Sequence, residues 1–366
     1  MKFKQRLLTI VLAGTMGLSL VGCGSSSNDT TTTTQTTTEA TTQTTTQATT
    51  QTTTSSASSS SDNSTENSAF ITVNAKNGEG EFVDMQVPFK PEKVAFLDYV
   101  ALDMCIALGL IDDMEFITVQ GDGSMPEYLM EVFKDQEVNL GGLKSYQEDT
   151  TIMTEILEFE PNLIFTSGRS ASDYESFMEI VDEDGGVVSS SITYVPSTYD
   201  SFKEINTRNA SIFGLEDEMD EILAQYDDRL EELKSWGEGQ TAMMTIFTGG
   251  SMNVLGNESR CSMIFNDLGF ENVGTDVDTS HGDTASYEAL LALNPDYIFV
   301  LDRDSAIGAE GATAALELLD NEIVHQSDAW QNGNVVILDP LVWYLVEGGV
   351  IAMDTMLSDL EAGRDQ

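Results

Sequence analysis

The chain has 366 residues, with 62 acidic and 16 basic side chains and a formal net charge of −46 at pH 7. A chain this acidic repels the phosphate backbone of nucleic acids, so a nucleic-acid-binding role is excluded. The length is sufficient for two lobes that each bury a hydrophobic core.

The first 23 residues have the pattern of a lipoprotein signal peptide. A basic segment (2–6) precedes an apolar run (7–20), and Leu-Val-Gly then leads to Cys23, which resembles a lipobox. The apolar run is too short for a comfortable membrane span. We therefore expect residues 1–23 to be a signal peptide and Cys23 to carry lipid, which would hold the protein on the extracytoplasmic face of the cell membrane. An ordinary secretory signal or a short membrane anchor is the alternative.

Residues 24–68 consist mostly of Thr, Ser, Gln, Asn and Ala, with almost no large apolar side chain. Such a composition cannot bury enough apolar surface to fold, so the segment is predicted to be disordered. We expect it to act as a tether between the lipid anchor and the folded part.

Residues 69–198 alternate between strand and helix patterns, which predicts an N-terminal α/β lobe with a mostly parallel sheet. Asn77-Gly78 is a strong turn signal, and Gly109 is a candidate C-terminal cap for the first helix. The predicted elements are a hairpin over 70–87, strands at 93–98, 115–119 and 187–195, helices at 101–108, 126–134 and 171–182, and a helix–strand unit over 150–166.

Residues 199–237 carry apolar side chains at helical spacing and no strand pattern. We predict a single long helix here that joins the N-terminal lobe to a C-terminal α/β lobe over 238–366. The predicted elements of that lobe are strands at 241–247, 254–255, 297–301 and 335–338, and helices at 261–268, 287–293, 312–320 and 348–360.

Two segments share a helix–strand–arginine pattern. In each, a short helix runs into a proline (Pro161 or Pro295), an apolar strand follows, and an arginine stands eight residues after the proline (Arg169 or Arg303). The residue before a proline disfavours αR backbone, so each helix ends there. Because ligands of open α/β sheets bind beyond the carboxyl ends of the strands, we expect the two arginines to face one anionic ligand.

Cysteine usage is sparse. After Cys23 only Cys105 and Cys261 remain, without the spacing of a zinc site. A disulfide between them would join the two lobes and resist their motion. Since Cys105 lies within an apolar helical pattern, a buried free thiol is the favoured interpretation.

Five stretches carry a resemblance to a known family: PEKVAFLDYVALDMCIALGL, GGLKSYQEDTTIMTEILEFEPNLIFTSGR, NESRCSMIFNDLGF, SHGDTASYEALLALNPDYIFVLDR and LDPLVWYLVEGG. Over roughly residues 70–362 the chain resembles the helix-bridged substrate-binding proteins of ABC importers for iron–siderophore complexes. Within them it is similar to the lipoproteins that bind ferric catecholates and petrobactin. The resemblance implies two α/β lobes, a single joining helix and a ligand cleft between the lobes.

The resemblance also implies roles for particular residues. Arg169, Arg260 and Arg303 match arginines that face the anionic oxygens of a catecholate. His281 and Tyr344 match a pair that coordinates Fe(III) when the siderophore leaves two positions open. Guanidinium groups suit planar anionic oxygens, and phenolate and imidazole are reasonable Fe(III) ligands. The ligand would be an Fe(III)–siderophore, with no intrinsic cofactor.

Two further aromatic residues, Trp343 and Tyr146, are expected to line the cleft. Simpler interpretations remain open at several positions. Arg260 could pair with the neighbouring Glu258, and Tyr344 could pack against Trp343 as an ordinary aromatic pair.

The resemblance further implies an ABC permease and its ATPase as partners, each lobe presenting an acidic residue to the permease. Glu288 matches the second-lobe position, although it could be one of many surface acids. The first-lobe position is Thr154, where the chain departs from the family, and Glu155 or Glu148 could substitute. We expect a monomer.

The preferred function is therefore capture of a ferric siderophore by a binding protein that is not an enzyme. Haem or cobalamin in the same fold is the nearest alternative, although the three arginines would then have less purpose. A zinc or manganese carrier would need several His ligands, and the chain has two histidines. A surface hydrolase lacks support because G-x-S-x-G and the metalloprotease His pair are missing from the sequence. An adhesive protein would not need the repeated arginine units.

Overall fold

The computed structural model describes residues 69–118, 125–133, 150–181, 184–190, 197–274 and 283–366. The predicted signal peptide and tether lie outside these ranges. The strands are β1 (Phe70–Lys76), β2 (Phe82–Pro88), β3 (Lys93–Phe96), β4 (Glu115–Thr118), β5 (Leu163–Thr166), β6 (Gly186–Ser189), β7 (Thr241–Thr248), β8 (Ser251–Val254), β9 (Glu271–Asn272), β10 (Asp283–Thr284), β11 (Tyr297–Asp302) and β12 (Val335–Ile337).

Helices precede or follow most of these strands. They are α1 (Tyr99–Ala107), α2 (Glu127–Phe133), α3 (Thr150–Phe159), α4 (Tyr174–Ile180), α5 (Tyr199–Ser211), α6 (Glu216–Ala224), α7 (Asp227–Gly237), α8 (Met263–Asn266), α9 (Tyr287–Leu293), α10 (Arg303–Ala306), α11 (Ala315–Leu319), α12 (Asp328–Asn332), α13 (Pro340–Leu345) and α14 (Val350–Arg364). None of the helices in the described ranges is both long and apolar enough to span a membrane.

The predicted hairpin is confirmed. β1 and β2 pair antiparallel, from Phe70 opposite Pro88 to Lys76 opposite Phe82. The hairpin packs on β6, where Gly186 meets Val87. A Cβ at Gly186 would lie 2.8 Å from Val87 Cγ1, so this close packing requires glycine.

The first lobe contains a four-stranded sheet in the order β4-β3-β5-β6, and all of its strand pairs are parallel. The described residues of β5 are all buried, and those of β3 and β6 nearly so. This agrees with the continuous apolar runs of the sequence, since strands of parallel sheets are covered on both faces.

The second lobe is built on a larger sheet in the order β10-β8-β7-β11-β12, and β9 adds a short pairing with β7. β7, β11 and β12 are parallel, whereas β8 and β10 pair antiparallel at one edge. The fold is therefore α/β in both lobes, as the sequence predicted.

The two helix–strand units share an unusual backbone feature at their prolines. Glu160, before Pro161, has φ 54°, and Asn294, before Pro295, has φ 45°. Both residues lie in the left-handed region, which ends the helix before the proline. Asn294 donates its backbone N–H to Leu290 O, as a helix cap should. The repeated pattern thus has the same local structure in both lobes.

The prediction of one long helix over 199–237 needs correction, because the segment forms three helices, α5, α6 and α7. The first break lies at Gly214, whose φ is 67° and whose Cβ position would be 2.9 Å from the Phe89 ring. The second lies at Gln225 and Tyr226, whose amides bond to carbonyls three residues back. The Tyr226 hydroxyl donates to Val350 O at 2.9 Å, which directs this turn toward α14.

The C-terminal helix α14 packs on α1 of the first lobe. Asp103 of α1 is fully buried and accepts backbone N–H groups from Ile351 (2.8 Å) and Ala352 (3.2 Å) in the first turn of α14. The Tyr128 hydroxyl donates to the same carboxylate at 2.5 Å. Desolvation raises the pKa of Asp103 to about 6, although these hydrogen bonds act to lower it.

One hydrophobic core connects the lobes. It includes Phe96 and Phe165 of the first sheet, Phe299 of the second sheet and Met356 of α14. Both remaining cysteines, Cys105 and Cys261, are buried free thiols, which confirms the prediction from the sequence.

Candidate functional site

The best-defined part of the site lies at the carboxyl edge of the second sheet. Arg303 follows β11 directly and begins α10, whose first turn is capped by Asp302 through Ser305 N. Tyr344 lies on α13, which follows β12 after a short link. Asp339 caps α13 by accepting from two backbone amides, and Pro340 occupies the first turn, so the local sequence favours a helix start here.

Arg303 and Tyr344 contact each other directly. Arg303 Nε donates to the Tyr344 hydroxyl at 2.8 Å, and the guanidinium carbon lies 5.5 Å from the centre of the phenol ring. The Arg303 side chain is 24% exposed, and its nearest carboxylate is Asp304 at 3.6 Å. A partly exposed cation therefore stands beside a phenol oxygen at the carboxyl edge of the second sheet.

Arg260 also contacts the Tyr344 ring. Its guanidinium carbon is 4.4 Å from the centre of the Tyr344 ring, and Nη1 donates to the carbonyls of Trp343 and Tyr344 at 3.2 Å each. These carbonyls belong to the last turn of α13, where cations are favourable. Tyr344 is thus in contact with two guanidinium groups.

Arg260 is only 4% exposed, and its acidic partner is Glu347, at 3.5 Å from Nη1 to Oε2. The sequence interpretation that it pairs with Glu258 is therefore wrong. Glu347 is itself buried, and its Oε1 accepts from Ser197 Oγ and Cys261 N at 2.5 Å each. Burial raises the pKa of Glu347, while Arg260 and the two hydrogen bonds act to lower it.

Trp343 does not line a cleft in this structure, which corrects the prediction from the sequence. Its side chain is fully buried, and its indole N–H donates to Asp359 Oδ2 of α14 at 3.0 Å. The reason is helical geometry, because adjacent residues of α13 point about 100° apart. Tyr344 therefore meets the arginines, while Trp343 fastens α13 to α14.

Of the three other predicted ligand residues, only Arg169 is located, and only by its backbone. Arg169 belongs to the 3₁₀ turn Gly168–Asp173 directly after β5, at the carboxyl edge of the first sheet, but its side chain lies outside the described part. His281 and Tyr146 also lie outside the described residues. Within those residues, no three His, Cys, Asp or Glu side chains are grouped as a metal site would require.

The candidate docking residues lie on the helices of the two repeated units. Glu288 is exposed in the first turn of α9. On α3, Thr154 is exposed and Glu155 is half-buried. Lipidation at Cys23 and docking through Glu148 concern residues outside the described ranges.

An open cavity of about 660 Å³ lies between α2 on one side and α13 and α14 on the other. Its lining includes the carboxylates of Glu127, Glu131 and Asp339. Three carboxylates repel an anion, so the edge at Arg303 fits an anionic ligand better than this cavity does.

Glu347 and Ser197 were not predicted from the sequence as residues of the site. Glu347 follows the apolar run that ends at Val346, and an isolated acid directly after such a run was the available signal. Its partner Ser197 is distant in sequence and carries no local pattern, so only the folded chain brings the two together.

A model of the periplasmic binding protein family matches residues 128–341, more than half of the chain. The chain therefore belongs to this family of binding proteins. It is similar to the petrobactin-binding protein YclQ of Bacillus subtilis (strain 168), with 29% identity over 293 residues that cover 77% of this chain and 85% of the relative. The ferric-anguibactin-binding protein FatB of Vibrio anguillarum is 23% identical over 286 residues, which cover 75% of this chain and 83% of FatB.

Solved structures have the same fold. The crystal structure of YclQ from Bacillus subtilis matches with a TM-score of 0.70 and 28% identity, over 81% of this chain and 99% of YclQ. The periplasmic catecholate-siderophore binding protein VctP from Vibrio cholerae matches with a TM-score of 0.67 and 24% identity, over 80% and 100% of the two chains. The match with VctP is evidence for the fold alone.

Proposed function

We propose that this protein captures a ferric siderophore of the catecholate type outside the cytoplasm and delivers it to an ABC importer. The observation that carries the proposal is the contact between Arg303 and Tyr344 at the carboxyl edge of the second sheet. It brings a cation beside a phenol oxygen, a group that can bind Fe(III). The relatives named for petrobactin and ferric anguibactin support the same ligand class.

The proposed chemistry divides between charge and coordination. Arg303 and Arg169 attract the negative charge of a ferric catecholate, since guanidinium groups form paired hydrogen bonds to planar anionic oxygens. Tyr344 and His281 supply oxygen and nitrogen ligands when the siderophore leaves two positions of Fe(III) open. Tyr146 would line the same cleft. The iron arrives and leaves with the siderophore, so it is cargo rather than a resident cofactor.

The proposal includes a location and partners. A lipid on Cys23 would anchor the chain to the membrane, with residues 24–68 as the tether. Glu288 on the second lobe and Glu155 on the first would contact the permease, which works with its ATPase. The protein would act as a monomer and catalyse no reaction.

Titration of the purified protein with candidate ligands tests this function. We expect ferric catecholates to quench tryptophan fluorescence with sub-micromolar affinity, and a tetradentate complex to add a phenolate-to-iron absorption band. Iron-free catecholate, haem and cobalamin serve as comparison ligands. Tighter binding of haem or cobalamin, or no response to any ferric siderophore, would overturn the proposal.

A further inference from the structure

Most hydrogen-bond donors of the Arg303 side chain have no partner in the described part of the chain. Nε donates to the Tyr344 hydroxyl at 2.8 Å, and this is the one hydrogen bond that the guanidinium makes with described residues. Both Nη groups are therefore available to the oxygens of an anionic ligand. The charges that surround these two groups then affect how strongly such a ligand is held.

Asp304, the next residue, is the nearest acid to these donors among the described residues. Its Oδ1 lies 3.6 Å from Arg303 Nη1. This separation is longer than the usual N–H···O distance of about 2.9 Å, so the two groups interact by charge rather than by a hydrogen bond. Asp304 is only 6% exposed, and solvent ions screen a buried charge weakly. Its negative charge therefore acts on any anion that binds at Nη1.

A turn of the second sheet holds Asp304 in this position. Asp304 Oδ2 accepts the backbone N–H of Gly250 at 3.2 Å. Gly249 and Gly250, with φ of 57° and 73°, form the turn between β7 and β8. β7 pairs with β11, the strand that leads into Arg303. A carboxylate bonded to this turn is restrained from moving away when an anion approaches.

Asp302, the residue before Arg303, differs from Asp304 because other donors occupy its carboxylate. Its Oδ1 accepts from Ser305 N, and its Oδ2 accepts from Ser305 Oγ and Ala315 N. These hydrogen bonds start α10 and join it to α11. Asp302 is thus a helix cap, whereas Asp304 is the carboxylate that faces the guanidinium.

We infer that Asp304 is a selectivity residue, which disfavours ligands of higher negative charge at Arg303. It compensates part of the Arg303 charge and repels an anion at Nη1, and this repulsion grows with the charge of the ligand. The inference rests on the proposed function, because Arg303 must meet an anionic ligand for the repulsion to act. It goes further by naming the residue that selects among such ligands by charge.

The test compares two ligands that have the same shape but different charge. A hexadentate tris-catecholate is loaded with Fe(III) or with Ti(IV), and the titanium complex has one negative charge fewer because its metal carries one positive charge more. Neither complex needs a metal ligand from the protein. Asp304→Asn removes the charge, nearly keeps the shape and retains an oxygen that can accept from Gly250 N. Quenching of tryptophan fluorescence measures the affinities.

We expect Asp304→Asn to bind the ferric complex about tenfold more tightly and the titanium complex about fourfold more tightly, because the repulsion that is removed scales with the ligand charge. The preference for iron over titanium should therefore rise about twofold. Unchanged or weaker binding of the ferric complex overturns the inference. Equal gains for the two complexes overturn it as well, because charge would then not be what the site senses.

Glu310→Gln is the matched control, because it removes the same charge from an exposed position in the loop after α10. Solvent screens that charge, so both affinities should stay within about twofold of the original values. Gains as large as those from Asp304→Asn would indicate a general effect of net charge and would overturn the inference. Asp304→Ser also removes the charge and serves if the amide variant does not fold. The ferric complex should again gain more than the titanium complex, and any other order counts against the inference.

The original protein separates this inference from the proposed function. If it binds both complexes and Asp304→Asn changes neither affinity, the selectivity role fails while the proposed function stands. If it binds neither of these complexes nor any other ferric catecholate, the proposed function fails, and the inference fails with it.

Discussion

At the scale of single residues, the surroundings of Tyr344 are the most informative feature. Its ring contacts both Arg260 and Arg303, and its hydroxyl accepts from Arg303. Both arginines therefore contact one phenol side chain.

Tyr344→Phe should separate coordination from packing, because it keeps the ring and removes only the oxygen. We expect affinity for a tetradentate ferric catecholate to fall at least tenfold and affinity for a hexadentate complex to change less than threefold, both measured by fluorescence titration. His281→Ala should behave in the same way. Equal losses for the two complexes would contradict direct coordination by these residues.

A second residue-scale prediction concerns Glu160, whose φ of 54° is unfavourable for a residue with a Cβ. Glu160→Gly should therefore raise the free energy of unfolding by about 1 kcal/mol, as measured by urea denaturation. Glu158→Gly, an exposed position within α3, is the control and should lower it by about 1 kcal/mol. Destabilisation by both substitutions would mean that Glu160 does not carry this strain.

At the scale of elements, Asp103 joins α1 to the first turn of α14. In the unfolded chain its pKa is near 4, and burial raises it to about 6 in the folded protein. Between about pH 4 and pH 6, Asp103 therefore stays protonated in the folded protein but is ionised in the unfolded chain. The contribution of Asp103 to the free energy of unfolding is greatest at low pH and falls as the pH rises through 6.

Asp103→Asn should remove this pH dependence. The difference in free energy of unfolding between the original protein and the variant should shrink by about 2 kcal/mol from pH 4.5 to pH 7. Urea denaturation across this range measures it, and the subtraction cancels the titration of the other acids. A difference that is constant with pH would contradict the raised pKa.

Element-scale patterns also determine how much of the fold could be predicted from the sequence. Most strands were predicted because they are apolar runs, whereas the two-residue strands β9 and β10 are too short to leave a pattern and were not predicted. The helices before Pro161 and Pro295 end where proline requires. The helix predicted over 199–237 is interrupted at Gly214, where Phe89 packs from a distant segment. The helix α13 was not predicted, although Asp339 and Pro340 are its start signals.

The site was less predictable than the fold. The arginine after each repeated strand follows from local pattern, and the family resemblance points to Tyr344. The ion pair of Arg260 with Glu347 could not be predicted, because it joins residues 87 positions apart that share no spacing rule. The burial of Trp343 likewise depends on α14, which follows it in the chain.

At the scale of the whole molecule, the strongly acidic surface makes it difficult to distinguish a docking acid from other exposed acids. Glu288→Arg tests the proposed contact directly. We expect cellular uptake of the iron complex to fall about tenfold, because a cation would replace the acid proposed to contact the permease, while ligand affinity stays unchanged. Glu317→Arg, an equally exposed acid on α11, is the matched control. Similar losses for both variants would indicate a general charge effect.

The hydrophobic core that runs from the first sheet through α14 to the second sheet has a further consequence. Pulling the lobes apart would expose part of this core, at about 25 cal/mol for each Å² of apolar surface. We therefore expect the protein to behave as a nearly rigid receptor, whose observed association rate increases linearly with ligand concentration. The permease would then distinguish loaded from empty protein by the ligand surface itself, rather than by a change in the separation of the lobes.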